Sequence, residues 1–352
     1  MLGVPTPAPP SRTTTAGVKM IIDCHVHVNA FTPEHGRTSR ALLGRPSFRF
    51  LRWYLGMHGM GFETERALSR ALAMQLEDAT ELDAAVILAF DAVYGNDGRL
   101  DDARTHLHVT NEYVRELADR HPKMLFGASV HPYRRDALAE LERCARNGAV
   151  LLKWLPITQG FDPSDRRCFP LYEVLAHYGI PLLSHTGGEK TLPNIDTRVA
   201  DPALLKPALD RGVTVIAAHC GTRSAIGEKS YVDTFVRMAR DYEHFYGDTS
   251  ALNLPLRCYA YPYIMEDDRV RAKLVHGSDW PLPAIPMPQF VGFGGCARFM
   301  LDRNVLRRDI RIKRAMGFGD DYFHRSASLL RMPSRAPMRS PLRAGGARHY
   351  AA

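Results

Sequence analysis

The chain has 352 residues, 45% of them hydrophobic, with a formal net charge of +8. That is enough apolar material for a core, yet no apolar run approaches the roughly 20 residues that span a bilayer, so no membrane partner is expected. Nor is the charge a nucleic-acid signature: residues 331–352 hold five Arg and no acid, residues 1–19 hold Arg12 and Lys19 and no acid, and 20–330 is nearly neutral.

Residues 1–19 are rich in Pro, Thr and Ala. They lack the apolar segment of a secretory signal and cannot bury a core, so they read as a disordered tail. KMIIDCH (19–25) is the first strand candidate. Residues 29–68, rich in Arg, Gly and aromatics, read as an insertion after it. Placed at the mouth of the fold, this insertion would serve as a lid, or as a homodimer contact through Phe48, Phe50, Trp53 and Tyr54. The amphipathic stretch ALSRALAMQLEDATEL precedes AAVILAF (84–90). HVTNEYVRELADRH precedes MLFGASV (124–130), and RRDALAELERCARNG precedes AVLLKWL (149–155). IPLLSH (180–185), TVIAAH (214–219), HFYGDTSAL (244–252) and KLVHGSD (273–279) complete eight strands, the seventh weakened by Gly247 and Asp248. PLPAIPMP is too rich in proline for helix, which returns from about residue 297 to 330. The basic stretch 331–352 reads as a second disordered tail, solvated rather than bound to nucleic acid.

Continuous apolar runs mark strands buried on both faces, and strand–helix alternation implies a parallel sheet. Eight such units predict an α/β fold, a (β/α)₈ TIM barrel over 20–330, with a long insertion after strand 1 and disordered termini. Six cysteines at 24, 144, 168, 220, 258 and 296 form no CxxC pair. Reduced thiols and a cytoplasmic location are the expectation.

The informative residues are polar ones on these apolar strands. Strand 1 ends D-C-H-V-H, and regular alternation puts Asp23, His25 and His27 on one face, with Cys24 and Val26 on the other. Strand 4 carries Lys153, strand 5 ends in His185, strand 6 in His219 and strand 8 in Asp279. Strand C-termini converge on one face of a barrel, where catalytic groups sit. The intervals agree: 32 residues from Lys153 to His185, 34 to His219, and 60 to Asp279. Each is one or two strand–helix units. A single histidine at a strand end is more often a hydrogen-bonded core residue, but chance does not readily place the whole set in phase.

Imidazole nitrogen and carboxylate oxygen are good ligands for Zn²⁺ and similar divalent ions. Such an ion lowers the pKa of water from about 15.7 toward about 7. Asp279 is placed both to ligate and to accept the water's proton, and His219 to polarise substrate or return a proton. Lys153 has three readings: a carboxylated bridge between two metals, a cation for an acidic substrate, or a snorkelling side chain. Arg223 and His131 are substrate-binding candidates, since Arg partners carboxylates well. Asn253 and Arg257 lie just past strand 7.

With these residues assembled, the chain resembles the amidohydrolase superfamily of metal-dependent barrels. The nearest likeness is to its amidohydrolase-related branch, which includes aminocarboxymuconate-semialdehyde decarboxylase and many uncharacterised hydrolases. The stretches that carry it are IIDCHVHV, VILAF, ASVHP, LLKWLPITQGFDPSD, PLLSHTGG, VIAAHCG and LVHGSDWP, in order over about residues 20–285. The resemblance implies one divalent metal, usually zinc, on His25, His27, His185 and Asp279, with His219 catalytic. Binuclear members of the superfamily place a carboxylated lysine where Lys153 falls, so one or two ions remain open. The implied activity is a metal-dependent hydrolase, using activated water on an amide, lactone or ester-like bond of a small molecule. The alternative is a lyase: a non-oxidative decarboxylase or hydratase of an aromatic or unsaturated carboxylic acid. The long insertion and the C-terminal FGDDYFHRSASLLR depart from the branch.

Overall fold

A computed structural model describes residues 19–56 and 61–332. The predicted tails lie outside these residues, apart from the few at their inner ends. All eight predicted strands are present: β1 (Ile22–His27), β2 (Ala84–Leu88), β3 (Met124–Ala128), β4 (Leu151–Trp154), β5 (Leu182–His185), β6 (Val215–Ala218), β7 (Phe245–Asp248) and β8 (Leu274–Val275). They pair in parallel and in sequence order. The ring closes through backbone bonds from Cys24 N–H to His276 C=O (3.0 Å), His27 N–H to Trp280 C=O (2.7 Å) and Asp279 N–H to His25 C=O (2.9 Å). The predicted (β/α)₈ barrel is thus the observed fold.

Two apolar layers hold it. The inner one packs Ile22, Val86, Leu88, Leu151, Leu183 and Ile216 along the barrel axis. The outer one packs Ile87, Leu152, Leu182 and Ala217 against the helices. The principal helices are α1 (Pro46–Tyr54), α2 (Phe62–Asp78), α3 (Asn111–Arg120), α4 (Ala137–Arg146), α5 (Phe169–Tyr178), α6 (Val232–Asp241), α7 (Pro288–Met300), α8 (Val305–Ala315) and α9 (Asp320–Leu329). Hydroxyls start two of these units: the Thr110 side chain caps α3 at Tyr113 N–H, and Ser39 caps the short helix Arg40–Leu43. The Pro-rich stretch 281–288 is non-helical up to Met287, but Pro288 opens α7, so helix returns about nine residues before the expected 297; proline is tolerated there because the first turn needs no N–H donor.

Strand β1 departs from simple alternation. Asp23 pairs with Ala85 but Val26 with Ile87, so β1 carries one residue more than β2 over that interval. A bulge of this kind reverses the side-chain parity beyond it. Cys24 keeps the parity of Ile22 and packs in the inner cluster, while Val26, beyond the bulge, packs outward. The alternation read from the sequence had placed both outward.

The insertion is ordered over its described residues. Gly36–Thr38 pairs antiparallel with Leu107–Val109 as a small ribbon, an element absent from the sequence reading. Helix α1 lies over the barrel mouth. Of its aromatics, Phe50 and Trp53 are exposed, but Phe48 is buried and the Tyr54 hydroxyl accepts from Arg308 (3.0 Å). Of the four aromatics expected at a dimer contact, Phe50 and Trp53 point outward. All six cysteines are free. No helix among the described residues is long and apolar enough to cross a membrane.

Candidate metal centre

His25 and His27 leave β1 with their rings edge-on, 4.9 Å apart between centroids. Their Nε2 atoms lie 3.0 Å from each other, and Asp279 Oδ1 lies 3.4 Å from the first and 3.3 Å from the second. Metal bonds of about 2.0–2.2 Å place tetrahedral donors roughly 3.3–3.6 Å apart. The three donors match that spacing to within about 0.3 Å, so they fit a divalent ion without rearrangement. Asp279 is held in the left-handed region at φ 64°. Such a conformation costs a non-glycine residue on the order of 1–3 kcal/mol and is a mark of functional positions.

Asp248, at the end of β7, orients His25. Its Oδ2 accepts from His25 Nδ1 (2.7 Å), which fixes the tautomer and leaves the His25 Nε2 lone pair facing His27 and Lys153. Its Oδ1 accepts from the backbone N–H of His219 (2.8 Å) and of Ser250 (3.1 Å), and from the Ser250 hydroxyl. Burial raises its pKa, but contacts with His25 and His219 outweigh this and hold the carboxyl well below the usual range. Asp279 is likewise raised by burial and lowered further by His25, the His27 hydrogen bond and His219, so it stays ionised. Burial, with the Lys153 ammonium nearby, lowers His25 to about 4.

His219 also has a left-handed backbone, at φ 60°. Its Nδ1 is engaged by the Ser250 carbonyl (3.0 Å) and hydroxyl (2.8 Å), so Nε2 is the nitrogen left over. Burial and the Arg257 charge lower its pKa to about 3, keeping the ring neutral. His185 is buried at the end of β5, its ring 4.8 Å from that of His219. Its Nε2 is 3.2 Å from the Gly188 carbonyl, and it stands outside the three-donor group. A second candidate group, His25, His219 and Asp248, shares His25 with the first.

Lys153 is fully buried beneath this floor, with Nζ 3.0 Å from His25 Nε2. Burial lowers its pKa to about 8, against the pull of Asp248 and Asp279. Asp23, raised to about 7 by burial, fastens β1 to the last strand: its Oδ1 accepts from His25 N–H and Ser278 N–H, both at 3.0 Å.

Above the floor opens a cavity of about 480 Å³, lined by His27, His185, His219, Asp279 and Arg257 at its polar end. Its walls include Phe48 and Leu51 from α1, Phe90 after β2, Leu107 from the ribbon and Leu254 after β7. The structure does not bring two sequence candidates to this wall. His131 is buried with both ring nitrogens engaged, Nε2 with Gln159 C=O (3.0 Å) and Nδ1 with Tyr133 N–H (3.1 Å). Arg223 lays its guanidinium 4.5 Å from the Tyr259 ring centroid. The arginine that lines the cavity is Arg257.

A family model described as amidohydrolase matches residues 22–296. The chain belongs to the amidohydrolase family. No curated protein matches the sequence significantly. Among solved structures it is similar to an uncharacterized TIM-barrel protein from Bordetella bronchiseptica, at 17% identity and TM-score 0.55, covering 85% of this chain and 99% of that one. It is also similar to a probable 2-pyrone-4,6-dicarboxylic acid hydrolase from Acinetobacter baumannii solved with citric acid bound, at 14% identity and TM-score 0.50, covering 88% and 95%. A 5-carboxyvanillate decarboxylase from Sphingomonas paucimobilis aligns at 12% identity and TM-score 0.47, covering 90% and 100%. At these identities the structural likeness establishes the barrel, and the enzyme family rests on the sequence match.

Proposed function

We propose that this amidohydrolase-family enzyme is a hydrolase that uses one zinc ion and water to cleave an amide, lactone or ester-like bond of a small molecule. The observation that carries it is the convergence of His25 Nε2, His27 Nε2 and Asp279 Oδ1 at tetrahedral spacing beneath a cavity. When bound, the ion supplies Lewis acidity to the water and to the scissile carbonyl. His185, on the same cavity floor, is the proposed fourth donor, reached by releasing Gly188.

Asp279, ionised, accepts a proton from water as the new C–O bond forms at the carbonyl carbon. His219 Nε2, uncommitted within the protein, carries that proton to the leaving nitrogen or oxygen as the old C–N or C–O bond breaks. Arg257 supports a second reading. A buried guanidinium facing the cavity, whose hydrogen bonds among the described residues go to neutral acceptors, suits an acid substrate, as in non-oxidative decarboxylation of an aromatic or unsaturated acid. Assaying zinc-loaded protein on amides, lactones and esters beside aromatic acids separates the two. Carbon dioxide release without any hydrolysis reverses the choice.

Two variants test the centre itself. Lys153→Ala and wild type are both expected to bind one ion per chain by elemental analysis, because the second donor group shares His25 with the first. Two ions in wild type falling to one in the variant would instead assign Lys153 as a carboxylated bridge. Asp248→Asn is expected to weaken zinc about 10- to 100-fold by chelator competition, since His25 loses the carboxylate that sets its tautomer. Unchanged affinity would remove Asp248 from this role.

A further inference from the structure

The cavity is divided by chemistry, and the division limits what fits. Its polar lining includes His27, His185 and His219, the carboxylates Asp279 and Glu189, and Arg257. Arg257 is 5% exposed and donates from Nη1 to Thr222 C=O (3.1 Å) and Thr222 Oγ1 (2.7 Å), and from Nη2 to Gly188 C=O (2.7 Å). None of these acceptors is charged, and among the described residues no carboxylate oxygen lies within ion-pair distance of it, although Glu189 and Asp279 favour its charge from further off. A buried cation of this kind is stabilised by an incoming anion.

Much of the remaining lining is hydrocarbon, interrupted by Asn29, Thr191 and Ser224. Phe48 and Leu51 descend from α1, Leu107 comes from the ribbon, and Leu254 and Leu256 from the loop after β7. Lys190, the other basic residue facing the cavity, is paired with Glu228 (3.1 Å). A substrate with two or three carboxylates would therefore press charge against leucine and phenylalanine, where an unpaired charge is strongly disfavoured.

We propose that the site takes a compound with a single carboxylate, or the single acyl group that becomes one on hydrolysis, joined to an apolar body. The carboxyl end meets Arg257 and the histidines, and the apolar body lies along Phe48 and Leu51. The insertion after β1 is then the specificity element, shaping the distal half of the pocket. This rests on the reading of the cavity as the active site, and it adds the substrate class.

The test is calorimetric titration with butyrate, hexanoate, octanoate and citrate, on zinc-loaded protein and on protein stripped by chelator. Affinity is expected to rise about fourfold per added methylene until the cavity is filled, with citrate binding more weakly than hexanoate. Leu51→Gln should flatten the series, and Leu256→Gln, at a half-exposed position, serves as a second variant where α1 is sensitive. Arg257→Gln should weaken every monoacid by a similar factor and leave the chain-length slope in place. A slope that persists in stripped protein supports the apolar body whether or not zinc is found in the wild type. A flat series, or citrate binding above hexanoate, in protein carrying stoichiometric zinc overturns the substrate class and leaves the metal reading intact.

Discussion

Replacing His219 with asparagine is expected to lower kcat about 10²- to 10⁴-fold while zinc content stays at the wild-type value. Asparagine is the informative choice because residue 219 sits at φ 60°, a left-handed conformation that Asn tolerates far better than Ala does. Its amide keeps a polar group beside Ser250 but offers no nitrogen that can both take and return a proton. The proposed metal donors are His25, His27 and Asp279, with His185 as the fourth, and none of them hydrogen bonds to His219 Nε2, so loading should survive. The measurement pairs single-turnover kinetics with elemental analysis on the same preparation. A rate within threefold of wild type would show that the proton leaves by another path. Zinc lost in parallel with activity would make His219 a ligand.

Most of the barrel was readable because a strand buried on both faces must be apolar throughout, and that pattern leaves no alternative partner for the run. Polar residues at the ends of such strands then stand out. His25, His27, His185, His219 and Asp279 were found this way, and all but His25 line the cavity, with His25 directly beside it. Asp248 obeyed the same rule, a carboxylate closing an apolar strand, yet its neighbour Gly247 made the strand look weak and masked the signal. The glycine has its own cause: a Cβ there would lie 2.4 Å from the Phe235 ring. Two features carry no periodic signature. The bulge in β1 depends on pairing with β2, which local sequence does not encode. Arg257 sits in a loop, where spacing says nothing of direction. Arg223 and His131 were attractive for their types, but Tyr259 holds the first, while the second spends both ring nitrogens on backbone groups.

The barrel's far layer supports the centre through a buried ion pair, and breaking it should be costly. Lys313 on α8 is fully buried, with Nζ 2.5 Å from Asp309 Oδ2 and 2.8 Å from the Gly277 carbonyl. Asp309 in turn accepts from Asn253 Nδ2 (2.7 Å), so one helix ties down the chain after both β7 and β8. Gly277 lies directly under the site: a Cβ there would come 2.9 Å from His25 Cβ. Lys313→Met leaves the Asp309 carboxylate buried with Asn253 as its remaining hydrogen-bond partner and releases the Gly277 carbonyl. Loss of one member of a buried pair costs roughly 3–5 kcal/mol, to be read as a lower urea midpoint at unchanged m-value. Burial already raises the Asp309 pKa, and without the ammonium it rises further, so the carboxyl takes up a proton and the shortfall is smaller in acid. The double variant Lys313→Met, Asp309→Leu removes both charges and should recover most of the loss. Saturating zinc should leave the gap between wild type and the single variant unchanged if the released β8 segment still presents Asp279 to the ion, and widen it if it does not. A single variant as stable as wild type would mean that α8 holds the barrel by its apolar face alone.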